Sequence, residues 1–119
     1  MKRDSVYIAH ILQEMEFIEA NFSDRPFEEI IGDDMMQRSL VRSIEVIGEA
    51  SKNLSPGIRE RFPGVPWSGM ARMRDRLIHG YFSIRWEIVR DVVQNEVPLV
   101  KPEIRAIYSA LLQEEADTR

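Results

Sequence analysis

Within the eight positions from Arg74 to Tyr81 stand Arg74, Asp75, Arg76, His79 and Tyr81, side chains of the types that handle a phosphodiester. Arginine carries a permanent charge on a planar fork that matches phosphate oxygens. Histidine is the side chain whose ordinary pKa lets it take up and release a proton near neutrality. Cleavage of RNA by its own 2′-hydroxyl needs a base for the hydroxyl proton, a cation for the extra negative charge of the phosphorane, and an acid for the departing 5′-oxygen. His79 meets the proton-transfer needs and Arg74 the electrostatic one, without a metal ion. Tyr81 adds a hydroxyl that can position phosphate or ribose. Asp75, four residues before His79, is spaced to accept an imidazole N–H on a helix and so fix which ring nitrogen faces substrate. Arg72 and Arg76, also four apart, point to one side of a helix, as secondary phosphate contacts or as a solvated stripe.

The spacing sets a geometric condition. If one helix persists through Gly80, Arg74 and Tyr81 share a face, whereas Arg74 and His79 diverge by about 140°. Their functional groups then converge only through the reach of arginine or through a second copy of the chain. In a dimer, one His79 would act as base and its symmetry mate as acid.

The elements that must hold these residues read as helices. Ile8, Ile11, Leu12, Met15, Ile18 and Phe22 recur at spacings of three and four behind Asp4, which the pattern predicts as an N-cap. Ser23-Asp24-Arg25-Pro26 interrupts, and a short turn or helix is expected around Phe27–Ile31. A second long helix is predicted from Asp33 or Asp34 to near Asn53, with Met36, Leu40, Ile44 and Ile47 inward. Gly48 inside it is explained by the close approach of a neighbouring helix. Ser55-Pro56 opens a short helix through Arg61 before the Phe62–Pro66 breaker run. Trp67 is expected at the entrance of the motif helix and Ser68 as its cap, with Met70, Met73, Leu77 and Tyr81 on one side. A further helix, capped by Ser83, would run through Glu96, with Trp86, Val89, Val93 and Val97 inward. Pro98 and Pro102 would then bracket a bend ahead of Ile104, Ile107, Tyr108 and Leu111. No strand alternation is sustained, so the expected architecture is all-α: an up-and-down bundle of four to five main helices in one domain, 1–119.

Composition narrows the function classes. The chain lacks cysteine and has only His10 and His79 as imidazoles, far apart, so neither a metal nor another cofactor is predicted. His10 falls off the main stripe of its helix and is expected to be exposed. No apolar run approaches the roughly 20 residues that span a bilayer, and the N-terminus lacks a signal-peptide block, so the expectation is a cytoplasmic protein with no membrane contact. The net charge of −4 argues against indiscriminate nucleic-acid coating. It conceals a segregation: residues 1–50 carry 5 basic and 11 acidic groups, whereas 71–90 carry 5 basic against 2 acidic. A local cationic island of that size can hold a few phosphates.

Four segments in order carry a resemblance over nearly the whole chain: the N-terminal Asp-x2-Tyr-Ile-x2-Ile-Leu run, Arg42-Ser43-Ile44-Glu45-Val46-Ile47-Gly48-Glu49-Ala50, Val65-Pro66-Trp67, and Met73 through Phe82. Together they resemble the HepT-like branch of the HEPN superfamily, whose motif Arg-x4-His-x-Tyr falls on Arg74, His79 and Tyr81. Asparagine is the commoner residue at the position of Asp75, a departure that bears on rate and pH optimum. The resemblance implies a homodimeric helical bundle with two motifs facing one cleft, and metal-independent endoribonuclease activity on RNA. It also implies a toxin role in a type VII-like toxin–antitoxin pair. The implied partner is a nucleotidyltransferase antitoxin that moves AMP from ATP onto the tyrosine, here Tyr81. A noncatalytic HEPN module that binds nucleotide or docks a nucleotidyltransferase, and a purely architectural adaptor, are the competing readings.

Overall fold

A computed structural model describes residues 3–79 and 83–118. Three long helices form its frame: α1 (Asp4–Phe22), α3 (Asp34–Lys52) and α8 (Val97–Asp117). Short helices fill the connections, α2 (Phe27–Ile31) and α4 (Pro56–Arg61), followed by α5 (Trp67–Ala71), α6 (Met73–Leu77) and α7 (Trp86–Asp91). Between α6 and α7 lies a two-residue hairpin, β1 (Ile78–His79) with β2 (Ser83–Ile84). The architecture is the expected all-α bundle, with α1, α3, the α5–α6 pair and the α7–α8 run as its main segments.

The stripe predicted for the first helix is the stripe that is buried. Ile8, Ile11, Leu12, Met15, Ile18 and Phe22 all face the core, and α1 packs against both α3 and α8. The opposing stripe of α8 is Val97, Val100, Ile104, Ile107 and Leu111, spaced three and four apart. Ion pairs along the seam, Arg3 with Glu115 at 2.9 Å, Glu16 with Arg105 at 3.6 Å, and Glu19 with Lys101, fix the two helices antiparallel. Arg61 and Glu114 bind by both terminal nitrogens, and this hydrogen bonding holds the Glu114 carboxyl below the usual carboxylate range. His10 is exposed, as its place off the stripe requires.

Local chemistry explains the helix ends, sometimes differently from expectation. Asp33 caps α3 by accepting from Met36 N–H at 3.0 Å. Asp4, by contrast, does not cap α1. Arg3 holds that position, and the Asp4 carboxylate accepts from both the backbone N–H (2.9 Å) and the hydroxyl (2.6 Å) of Ser55, tying the starts of α1 and α4 together. Ser68 does not cap either, because α5 already begins at Trp67. Trp67 is instead the anchor, buried with its indole N–H donating to Phe62 carbonyl at 2.8 Å.

The prolines after residue 97 do not bracket a bend. Pro98 sits in the first turn of α8 and Pro102 within it, while Val92–Glu96 forms a π-helical turn joining α7 to α8. Proline at 98 cannot supply the N–H that an α-helix would direct at Gln94 carbonyl. The backbone absorbs the defect by widening, with Val97 N–H reaching back to Val92 carbonyl. The buried stripe running on through α8 holds the helix together across Pro102.

Candidate active site

The motif begins on α6 and does not stay on a helix. The segment breaks first at Arg72, between α5 and α6, and again after Leu77. The expectation of one helix through Tyr81 is therefore corrected. Leu77 carbonyl accepts from Arg85 N–H at 2.7 Å, a bond across the hairpin in place of the one four residues on. Ile78 and Ile84, both of a β-favouring type, are then strand partners by backbone register, and His79 pairs with Ser83. Ser83 thus belongs to β2 and does not cap a helix. Arg85 precedes α7, whose Trp86 is only partly buried, edge-on to Phe27 at 6.4 Å.

This ending changes the site's geometry. The helical angle between Arg74 and His79 no longer applies, and the four-residue helical spacing expected to join Asp75 to His79 stops two residues short of the histidine. Backbone pairing fixes the main chain of His79 directly beyond α6. The side chain of His79 and all of Tyr81 lie outside the described residues.

What positions Arg74 is visible. Met73 and Leu77 are buried and anchor α6 in the core, four residues apart on its inner side. That orientation turns Arg74 and Asp75 outward, and the Arg74 side chain is 64% exposed. α3 comes close behind: a Cβ on Gly48 would stand 3.2 Å from Met70 carbonyl oxygen and 3.9 Å from Arg74 amide nitrogen. The close approach predicted for Gly48 is to the α5–α6 break itself.

The cations of this segment are not equivalent. Arg76 directs both terminal nitrogens at Glu96, each 3.3 Å from a carboxylate oxygen, and so ties α6 to the π-helical turn. Arg90 lies 5.7 Å from the Phe27 ring centroid. Arg74 approaches Glu45 of α3 through its inner nitrogen, Nε to Oε2 at 3.4 Å. Arg72 is exposed and, among the described residues, has no ion-pair partner. Arg72 and Arg76 therefore differ in what engages them, since of the two only Arg72 has its guanidinium unengaged among the described residues. Glu45 and Glu96 were not singled out from the sequence. Glu45 carried a signal, because it lies three residues before Gly48 and so on the same side of its helix as the contact with α6.

Among the described residues, no helix is long and apolar enough to cross a membrane, and no three histidine or acidic side chains gather as metal ligands.

Comparison with known proteins points to one family. The family model described as "Ribonuclease HepT-like" matches residues 11–107. A protein of Caldanaerobacter subterraneus named "Putative RNase TTE0752" is 40% identical over 107 residues, covering 90% of this chain and 96% of its own. "Putative RNase MJ0127" of Methanocaldococcus jannaschii is 42% identical over 112 residues, covering 94% and 93%. "Probable ribonuclease HepT" of Thermococcus cleftensis is 37% identical over 95 residues, covering 80% and 86%. No solved structure matches the chain.

Proposed function

We propose, from the premise that this chain belongs to the HepT-like ribonuclease family of the HEPN superfamily, that it is a metal-independent endoribonuclease toxin. The observation that carries the reading is the presentation of Arg74: an exposed guanidinium on a helix anchored in the core, directly followed by a strand that holds the main chain of His79. His79 takes the proton of a ribose 2′-hydroxyl as that oxygen attacks the adjacent phosphorus. Arg74 stabilises the negative charge gathered on the phosphorane oxygens. The bond from phosphorus to the 5′-oxygen then breaks, and the leaving oxygen receives a proton from the acid of the pair, the protonated His79 of a partner protomer. Two motifs meeting across a twofold axis supply base and acid together. An obligate monomer that retained full activity would refute that division of labour.

The reading includes control by a nucleotidyltransferase antitoxin. The phenol oxygen of Tyr81 attacks the α-phosphorus of ATP, pyrophosphate leaves, and the attached AMP brings bulk and negative charge where the RNA phosphate must sit. A Tyr81→Phe variant is expected to resist modification by that partner while wild type gains the mass of AMP. Adenylate found on another residue overturns the assignment.

The main test is RNA cleavage by purified protein in EDTA. Wild type is expected to cleave, and Arg74→Ala and His79→Ala are each expected to lower the rate by at least about 100-fold. RNA or nucleotide binding without cleavage by wild type would instead favour a noncatalytic binding module.

A further inference from the structure

We propose that Glu45 of α3 is a positioning residue for Arg74, holding the inner edge of its guanidinium so that the outer edge faces the RNA phosphate. The inference rests on the ribonuclease reading above and extends it to a residue outside the motif.

Three observations converge on it. The approach is one-sided: Arg74 Nε stands 3.4 Å from Glu45 Oε2. A guanidinium has two edges that can grip an oxyanion pair, and a contact at Nε leaves the edge made by the two terminal nitrogens available for a phosphate. Arg76 provides the contrast on the same helix, because Glu96 occupies both of its terminal nitrogens. Exposure is also asymmetric, with Glu45 29% exposed and Arg74 64%. The carboxylate is set back toward the body of the protein and the cation projects beyond it. Finally, the platform is closely packed at this point. Gly48, one turn along α3 on the same side, lets that helix lie almost against the backbone of the α5–α6 break, which fixes how far the Glu45 side chain must reach.

Such a carboxylate has two opposing effects on catalysis. It restrains a long, rotamer-rich side chain in the orientation needed when charge develops on the phosphorane, which raises kcat. It also places negative charge near the RNA backbone, which weakens ground-state binding and raises KM. Loss of a residue that merely supports the fold would not lower kcat without raising KM.

The experiment compares Glu45→Ala and Glu45→Gln with wild type in steady-state cleavage of a defined RNA oligonucleotide, with thermal unfolding measured alongside. Glu45→Ala is expected to lower kcat by about 10-fold or more while KM falls or stays unchanged. Glu45→Gln removes the charge but keeps the side-chain length and an amide oxygen able to accept from Nε–H in place of the ion pair, so it should recover kcat to within about 3-fold of wild type with a KM no higher than that of wild type. Wild-type kcat in Glu45→Ala, a rise in KM without loss of kcat, or a Gln variant as impaired as Ala would overturn the inference and leave the ribonuclease reading standing. Absence of cleavage by wild type would overturn both.

Discussion

At the scale of the residue, the cations around the motif differ in what already holds them. Arg76 is committed to Glu96 through both terminal nitrogens, and Arg90 lies over the Phe27 ring, while Arg72 is exposed and unpaired among the described residues. A guanidinium engaged on both nitrogens would have to give up its carboxylate before binding a phosphate. Arg72→Ala is therefore expected to weaken RNA binding and to reduce the slope of log affinity against log salt by about 0.7, the loss of one phosphate contact on a single strand. Arg76→Ala should leave that slope unchanged and lower thermal stability. Binding titrations at several salt concentrations check both, and equal slope changes for the two variants would contradict the assignment. The sequence made the types and spacing of these side chains legible. It did not reveal their acidic partners, because Glu45 and Glu96 lie 29 and 20 residues from the arginines they meet.

At the scale of the element, helical periodicity located α1 and α3, each of which buries one stripe, and strong turn and cap residues located the short α2 and α4, all to within a residue or so. It failed where two structures satisfy the same pattern. Met70, Met73 and Leu77 are buried as a continuous helix would require, yet the helix breaks at Arg72 and stops at Leu77. Periodicity reports which side is inward and says little about a one-residue break between two turns. The β-branched pair Ile78 and Ile84 around Gly80 was the available sign of a hairpin. The prolines misled in the other direction, because the π-helical turn before Pro98 absorbs a lost hydrogen bond that sequence reading assigns to a bend. Gly48 was read correctly, and its contact makes a prediction that separates stability from activity. A methyl at 48 gains up to about 1 kcal/mol of helix propensity. It must also push the Met70 carbonyl, 3.2 Å away, by a few tenths of an ångström. The two terms offset, so Gly48→Ala is expected to change stability by less than about 1 kcal/mol. The displacement reaches the α5–α6 break that aims Arg74, so cleavage should fall about 10-fold. Unfolding curves and initial rates on one preparation test this, and loss of stability in proportion to activity would count against it.

At the scale of the whole molecule, one antiparallel frame does the holding and a small segment carries the proposed chemistry. α1 and α8 are joined by their apolar stripes and by a ladder of ion pairs, and α3 carries the α5–α6 break on its back. Part of that frame responds to acid. The Glu114 carboxyl, kept below its ordinary range by hydrogen bonds from Arg61, contributes stability at neutral pH that persists down to the ordinary carboxylate pKa and is lost as pH falls through its lower folded value. On the ribonuclease proposal, the acidic remainder of the chain would confine attraction for RNA to the basic sequence around residues 71–90, favouring a placed phosphate over general coating. The whole proposal depends on an arginine and a histidine turning the RNA's own 2′-hydroxyl against its neighbouring phosphodiester. The ends of the fragments test this most directly. In EDTA, wild type should release fragments bearing 2′,3′-cyclic phosphate and 5′-hydroxyl termini, and an oligonucleotide with a single 2′-deoxy sugar at the cleaved position should survive intact there. Fragments with 5′-phosphate termini, or undiminished cleavage at the 2′-deoxy position, would contradict the account.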